Sequence, residues 1–211
     1  MKKFTFLLAI VCTVYFLTSC GPTIYKSENF ESSRRTIKTV AILPFFVSID
    51  SKHLPKNMTI ETLRGSEQKS GYDMQNDAYT WLLQRSNQYS VTFQDVDKTN
   101  ALLTKANITY DSVLLWDKGD LCKLLGVDAT ISGKASLSKP MSEGGAIALT
   151  VLVGAYGTTN KTTATLSIHN VKSDLLWKYD FTESGSIGSN SQSLTKALMK
   201  NASKNFPYKA N

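Results

Sequence analysis

A chain of 211 residues is long enough for one domain with a buried core. Its 24 Lys and Arg against 17 Asp and Glu give a formal net charge of +7, an excess too mild to require a polyanionic partner. The three cysteines exclude a disulfide-rich scaffold, because Cys12 and Cys20 lie in or at the end of an apolar N-terminal segment and only Cys122 lies in the rest of the chain.

The N-terminus has the pattern of a secretory signal peptide. Lys2 and Lys3 precede an uncharged run over 4–17, about 14 residues, whereas a spanning helix needs roughly 20. The run ends in Leu17-Thr18-Ser19-Cys20, which resembles the bacterial lipobox of a Leu, two small residues and a Cys. The resemblance implies that a signal peptide of residues 1–19 is removed and that Cys20 carries three acyl chains, more than stable anchoring requires. An ordinary secretory signal and an uncleaved helix are the alternatives.

Residues 20–36 are predicted to be the lipidated Cys and a flexible tether, because they are polar and show no hydrophobic period. Gly21-Pro22 directly after Cys20 resembles signals that send a lipoprotein to the outer membrane, so we expect the protein to face the periplasm, anchored through outer-membrane lipid. Removal of residues 1–19 leaves 22 basic against 17 acidic residues, a net charge of +5. Such a balance suits a neighbouring anionic surface but does not demand one, and export without a recognisable motif argues against nucleic acid.

The first half of the expected domain, which we place at 37–206, combines two strands with three helices. In chain order we expect a buried strand at 37–47, an irregular crossover at 48–71, a helix at 72–86, a short strand at 89–94, a helix beginning near 95 and a helix beginning at 117. Pro44 should lie near the exit of the first strand, since it cannot donate to a sheet ladder. Asp95 or Asp97 can cap the second helix, and Gly126 can supply a left-handed cap to the third, whose inner face we assign to Leu121, Leu124 and Leu125.

The second half shows strict alternation and ends in an amphipathic helix. We expect strands at 128–137, 163–169 and 175–181, a turn at 172–174, a helix at 191–205 and a tail at 207–211. The alternation predicts a sheet with one core face and one polar face, and it places His169 on the polar face. The fold class is therefore mixed α/β, a single domain with a mixed five-stranded sheet and about four helices. Cys122 is expected to be a semi-buried apolar residue rather than a nucleophile.

An apolar, uncharged segment between glycines, 144–157, lies in an insert at 139–160. It is too short to span a membrane as a helix and lacks the alternation of a barrel strand. One interpretation is a buried element that completes the core. The other is an exposed segment that contacts lipid, a partner or another copy of the chain. The residues assigned to that contact are Ile147, Leu149, Val151, Leu152 and Val153.

No catalytic, cofactor-binding or metal-binding residues are predicted. The sequence has no Gly-x-Ser-x-Gly, His-Glu-x-x-His, phosphate-binding loop or Cys-x-x-Cys motif. Two histidines and one free cysteine are too few for a typical zinc site. We therefore expect neither a cofactor nor an enzymatic activity.

Three short segments share features with one known superfamily. They are Val-Ala-Ile-Leu-Pro-Phe at 40–45, Leu-Leu-Gly-Val-Asp-Ala at 124–129 and His-Asn-Val-Lys-Ser-Asp-Leu-Leu-Trp at 169–177. Together they resemble the group that contains the TolB N-terminal domain, the curli-secretion lipoprotein and the LpoB-type penicillin-binding-protein activators. Residues 48–71 and 139–160 depart from its pattern. The resemblance implies a mixed sheet flanked by helices and a non-catalytic role in scaffolding or activating envelope machinery.

The functional expectation is an accessory or scaffolding lipoprotein of the periplasm that binds an envelope protein partner in secretion or cell-wall machinery. The first alternative is a self-assembling ring or pore subunit of a curli-secretion-like system, a homo-oligomer in which 139–160 would be the assembling part. The second alternative is a cell-envelope hydrolase, for which His169 and Asp180 are the residues to test.

Overall fold

A mixed sheet of seven strands organises the molecule. The computed structural model describes residues 21–50, 59–138, 160–185 and 191–210. Its strands are β1 (Thr23–Lys26), β2 (Thr39–Ile42), β3 (Phe46–Ile49), β4 (Thr92–Phe93), β5 (Ala129–Ser138), β6 (Asn160–Asn170) and β7 (Leu175–Gly185). The order across the sheet is β1-β7-β6-β5-β2-β4, and β3 pairs with β5 beyond the end of β2. The pairs among β2, β3, β4 and β5 are parallel, and the other pairs are antiparallel.

Five helices flank the sheet in the described part of the chain. They are α1 (Phe30–Thr36), α2 (Ile60–Leu83), α3 (Val96–Lys105), α4 (Lys118–Leu125) and α5 (Ser191–Lys204), and a 3₁₀ turn lies at Ser86–Gln88. The predicted mixed α/β class and single domain are confirmed, with seven strands instead of five. None of the helices in the described ranges has both the length and the apolar character needed to cross a membrane.

The predicted strand at 37–47 is two strands, β2 and β3. Both pair with β5, β2 at its start and β3 near its end. The break coincides with Pro44, which has no N–H to donate. On its two sides Leu43 N–H donates to Ile131 O and Phe45 N–H donates to Gly71 O, so the chain leaves β5 for the neighbouring helix and then returns.

The alternation in β5, β6 and β7 gives the predicted apolar face, and the structure packs this face against α2 and α5. Side chains buried on this face include Ile131, Leu166, Trp177, Met74 and Leu198. The opposite face is covered near β2 by α3 and α4, where Ala41, Leu43, Leu121 and Leu125 form a second apolar cluster. Further along β6 and β7, this opposite face carries partly exposed polar side chains, among them Thr163, Thr165 and Lys178. Both faces of the strands therefore follow the period of two.

The predicted helix caps of α3 and α4 are confirmed. Asp95 accepts from the backbone N–H groups of residues 97 and 98, and Asp117 accepts from that of residue 120. Gly126 has φ +66°, the left-handed conformation that a glycine adopts without strain. Leu124 was wrongly assigned to the inner face of α4. Its side chain is 38% exposed, because the buried stripe of this short helix runs through Leu121, Cys122 and Leu125.

The tether predicted over 20–36 is contradicted by the described residues 23–36. Thr23–Lys26 adds β1 to the outer edge of β7, and the helix that follows buries Phe30 against Tyr208, with ring centroids 5.3 Å apart. Polar composition concealed this, because an edge strand and a one-sided helix need only a few apolar side chains. The domain therefore begins at least 14 residues before the predicted boundary at 37.

Two further boundaries differ from expectation. Helix α2 begins at Ile60, with Thr59 accepting from Thr62 N–H, so 59–71 is not an irregular crossover. Its first half is mostly exposed and lacks the apolar period that a prediction needs. The segment predicted as a tail packs on the domain as far as Ala210, since Tyr208 is buried and Ala210 N–H donates to Gln88 O at 2.7 Å.

Candidate protein-binding surface

The strand directions define two ends of the sheet. Strands β5 and β7 finish at Ser138 and Gly185, and β6 begins beside them at Asn160; we call this the proximal end. Thr23 pairs with Asp180 in antiparallel β1, so the chain before Thr23 leaves toward the proximal end. The opposite end, which contains the β6–β7 turn and helix α4, is the distal end.

Three large apolar side chains are exposed at the distal end and form what we call the distal patch. Leu115 is 87% exposed, Trp116 is 43% exposed and Val171 is 40% exposed. Leu115 and Trp116 directly precede α4, and Val171 begins the turn between β6 and β7. Exposed apolar side chains on adjoining segments are typical of protein interaction sites, where tryptophan is especially frequent.

Hydrogen bonds connect the two segments of the distal patch. Ser173 Oγ lies 2.5 Å from Asp117 Oδ1, to which it donates, and it accepts from Gly119 N–H at 3.1 Å. Asp117 Oδ1 also accepts from Asp120 N–H at 3.0 Å. The hydrogen bond from Ser173 and the backbone N–H groups hold the pKa of the Asp117 carboxyl below its ordinary value. The start of α4 and the β6–β7 turn therefore hold each other in one arrangement.

Gly119 permits this close approach. A Cβ at this position would lie 2.6 Å from Val171 O and 2.6 Å from Ser173 Oγ, too close for any side chain without displacement of the turn. Because Gly119 has no side chain, the first turn of α4 can pack directly against the β6–β7 turn.

Both turns that carry the patch are fixed internally as well. In the β6–β7 turn, Asn170 Oδ1 accepts from the N–H groups of Lys172 and Asp174 at 2.9 and 3.0 Å, and Ser173 has φ +67°. Before α4, Lys118 Nζ donates to the carbonyl oxygens of Val113 and Trp116 at 3.1 and 3.0 Å. Burial lowers the pKa of this lysine, yet it keeps carbonyl partners for its protons. The patch is thus presented on a preorganised frame, which lowers the ordering cost of binding.

An open polar cleft of about 340 Å³ adjoins the patch at Val171. Helix α1 forms one wall with Ser33, and Asn170, Lys172 and Asp128 form the other. Polar groups next to a central apolar cluster match the usual composition of a protein interface, in which a polar rim surrounds an apolar centre.

The residues proposed for hydrolysis do not form a site. His169 lies opposite Thr130, while Asp180 lies opposite Thr165, about 14 Å away along β6. The Asp180 carboxylate forms an ion pair with Lys178, whose Nζ lies 2.9 Å from Oδ2, and accepts a hydrogen bond from Thr165 Oγ1. Burial lowers the pKa of the His169 imidazole, and the residue has no carboxylate in hydrogen-bond contact among the described residues.

Cys122 is a packing residue, as expected. It is buried under α4, and its Sγ lies 3.8 Å from Thr130 Oγ1 and 3.7 Å from His169 O. Burial raises the pKa of this thiol, which disfavours the reactive thiolate. Over the described ranges, no group of three His, Cys, Asp or Glu side chains is arranged to hold a metal ion.

The predicted site residues lie outside the described part of the chain. They are Cys20, Ile147, Leu149, Val151, Leu152 and Val153. Sequence reasoning missed Leu115 and Trp116, although a signal was available. The run Val113-Leu114-Leu115-Trp116 precedes the capping Asp117 and belongs to no helical or strand period, so the pattern does not bury all four side chains. In the structure Val113 is buried, whereas Leu115 and Trp116 are exposed.

Comparison with known proteins gave matches among solved structures alone. No protein-family model matches the chain, and no curated protein does. A PelC dodecamer from Paraburkholderia phytofirmans is 12% identical, with 85% of this chain and 92% of PelC covered and a TM-score of 0.42. Lipoprotein GNA1162 from Neisseria meningitidis is 8% identical, covers 80% and 96%, and has a TM-score of 0.42. The LpoB C-terminal domain from Salmonella enterica is 10% identical, covers 70% and 83%, and has a TM-score of 0.36. An LpoB domain, the type named by the sequence resemblance, is thus among the structures to which this chain is similar.

Proposed function

We propose that this chain is a lipid-anchored, non-catalytic accessory protein of the bacterial envelope that binds a protein partner through the distal patch. The observation that carries the proposal is the exposure of Leu115 and Trp116 on a frame held by Asp117, Gly119 and Ser173. The patch lies at the end of the sheet opposite to the end from which the chain leads back to Cys20. A domain anchored by one end would present this patch to the periplasm.

The anchor part of the proposal rests on the sequence. The lipobox-like Leu17-Thr18-Ser19-Cys20 assigns acylation to Cys20, and Gly21-Pro22 favours transfer to the outer membrane. A periplasmic position agrees with a mature chain whose one other cysteine, Cys122, is buried and unpaired.

A tryptophan in a preorganised patch is a strong candidate for a binding hot spot. Truncation of such a residue commonly costs about 2 kcal/mol or more, which is about a 30-fold loss of affinity. Trp116→Ala should therefore weaken partner binding strongly. Leu83→Ala is the matched control, because Leu83 is also an exposed apolar side chain but lies at the C-terminus of α2, outside the patch.

The test is photo-crosslinking in intact cells, followed by measurement of binding to the protein that is captured. A photoreactive side chain at position 115 should give a discrete adduct that the same group at position 83 does not give. Binding of the purified partner should then fall with Trp116→Ala and stay unchanged with Leu83→Ala. Absence of any adduct at 115 would refute the proposal. An adduct with the mass of two copies would support the self-assembling alternative instead.

We further propose that the apolar residues of 144–157 make a second contact with lipid or a partner at the proximal end. What supports this is the position of the described residues at its two sides, since Ser138 pairs with Lys161 at that end and Asn160 follows directly beyond it. Replacement of both Leu149 and Leu152 by Asp separates the two interpretations. Normal folding with lost association supports the contact, whereas loss of folding shows that these residues belong to the core.

A further inference from the structure

We infer that the proximal end of the domain lies directly on the lipid bilayer, with the exposed side chain of Ile60 at the lipid surface. The inference rests on the proposed acylation of Cys20 and adds the orientation of the domain on the membrane. A lipid surface is the occupant because the proposed acylated cysteine, Cys20, lies three residues before the start of β1.

The link between the anchor and the sheet is short. Only Gly21 and Pro22 separate Cys20 from Thr23, the first residue of β1. Three extended residues span at most about 11 Å, so the acylated cysteine cannot be further than this from the sheet. The link cannot lengthen without loss of structure, because Thr23–Lys26 is paired with β7 and Phe30 is buried directly after it.

The sheet extends at least as far toward the membrane as this link does. Thr23 is opposite Asp180, and β7 continues for five residues to Gly185, about 17 Å along the strand. Even when fully extended, a link of two residues reaches no further along β7 than the level of Glu183, before the end of the strand. An anchor this close holds the proximal end of the sheet at the bilayer.

Helix α2 projects beyond the sheet on the same side. Ile49 N–H donates to Glu67 Oε1 at 2.9 Å, and Phe45 N–H donates to Gly71 O at 3.3 Å, so the helix runs antiparallel to β3. Ile49 is level with Glu183, because the register runs from Ile49 to Leu137, Thr162 and Glu183. Ile60 precedes Glu67 by seven residues and so lies about 10 Å further toward the membrane.

The side chains at this end suit an interface with lipid. Ile60 is 75% exposed, although it is a large aliphatic residue at the first position of α2. Arg64, one turn further along the helix, is exposed as well. At this end Ile60 would enter the boundary of the acyl chains, and the guanidinium of Arg64 would reach the level of the phosphates.

The experiment compares fluorescent labels at the two ends of the lipidated protein in vesicles of phosphatidylethanolamine and phosphatidylglycerol. Ile60→Cys and Lys172→Cys are labelled with an environment-sensitive dye, Lys172 being exposed in the distal β6–β7 turn. The buried Cys122 and the thioether at Cys20 should not react. We expect nitroxide-labelled lipid to quench the dye at position 60 at least about threefold more than the dye at position 172, and the dye at 60 to be shielded from aqueous iodide.

A longer link supplies the second variant. Insertion of about twelve Gly and Ser residues between Gly21 and Pro22 should keep the protein on floating vesicles but make lipid quenching at position 60 fall toward the value at 172. If the wild-type protein does not float with the vesicles, the proposed acylation of Cys20 is wrong, and this inference fails with it. Protein that floats but is quenched equally at both positions overturns the orientation alone. Protection from iodide without lipid quenching would assign this end to a protein partner and would also overturn the inference.

Discussion

Alanine substitutions at two glycines of α2 should have opposite effects on stability. A Cβ at Gly71 would lie 2.3 Å from the carbonyl oxygen of Phe45 and 2.6 Å from the ring of Tyr110. A Cβ at Gly65, in the same helix, would have no atom within 4 Å. Both substitutions add the same methyl group to the same helix, so the difference between them reports the contact of α2 with Phe45, directly before β3, and with Tyr110.

The magnitudes follow from helix propensity and packing. Alanine in place of an exposed helical glycine stabilises by about 0.5–1 kcal/mol, which is the expectation for Gly65→Ala. At Gly71 the same gain is outweighed by overpacking, which typically costs 1–3 kcal/mol and more where the opposing atom is backbone. We expect Gly71→Ala to be destabilised by about 1–3 kcal/mol, so the two variants should differ by roughly 2–4 kcal/mol.

Urea unfolding of the mature chain, followed by circular dichroism, measures both values from the midpoint and the slope. Wild-type protein and the two variants are compared under the same conditions. If Gly71→Ala were as stable as Gly65→Ala, α2 would not lie against β3 as described. The position of Ile60 beyond the proximal end would then lose its basis, since it depends on this packing.

Three further predictions concern buried side chains. Tyr110→Phe should lower the free energy of unfolding by about 2–3 kcal/mol, since the hydroxyl accepts from Val47 N–H at 3.0 Å and donates to Phe45 O at 2.8 Å, and both groups would lose a partner; urea unfolding with no loss would refute this. Burial raises the pKa of Tyr89 from 10.0 to about 12, so the folded chain keeps a proton that the unfolded chain releases. The contribution of this hydroxyl to the free energy of unfolding is complete below pH 10 and is lost as the pH rises from 10 to 12. The loss amounts to about 1.4 kcal/mol at pH 11. In Tyr89→Phe the urea midpoint should therefore fall less over this pH range than it does in the wild-type protein. Cys122 should resist a water-soluble disulfide reagent in the native protein and react in urea, because its thiol is buried and the pKa is raised; equal rates in the two conditions would contradict its placement.

The sequence predicted best those elements whose signal is local. Asp95, Asp117 and Gly126 mark the helix ends through their own chemistry, and β6 and most of β5 alternate because one face of the sheet is buried. These signals depend on neighbouring residues alone, so they survive without knowledge of the tertiary structure.

The elements that were missed depend on distant partners. Strand β1 exists because β7 offers it an edge, and α1 is held by the contact of Phe30 with Tyr208, near the other end of the chain. A polar segment such as Thr23–Thr36 contains no sign of either partner, so it is predicted as a tether.

The distal patch could be anticipated only in part. The apolar run before Asp117 is visible in the sequence, but its place beside the β6–β7 turn depends on the approach of that turn to Gly119. That approach joins residues 54 positions apart through Ser173 Oγ, and no local period encodes it. The resemblance at 169–177 indicated the turn without indicating what lies beside it.

The most direct test of the account is the location of the protein when the acylated residue is replaced. Wild-type protein and Cys20→Ala are expressed in intact bacterial cells, which are then separated into membrane and soluble periplasmic fractions. We predict that the wild-type protein sediments with membranes and that Cys20→Ala is released into the periplasm with an unchanged urea midpoint. A folded Cys20→Ala protein that still sediments with the membranes would contradict the proposed anchor.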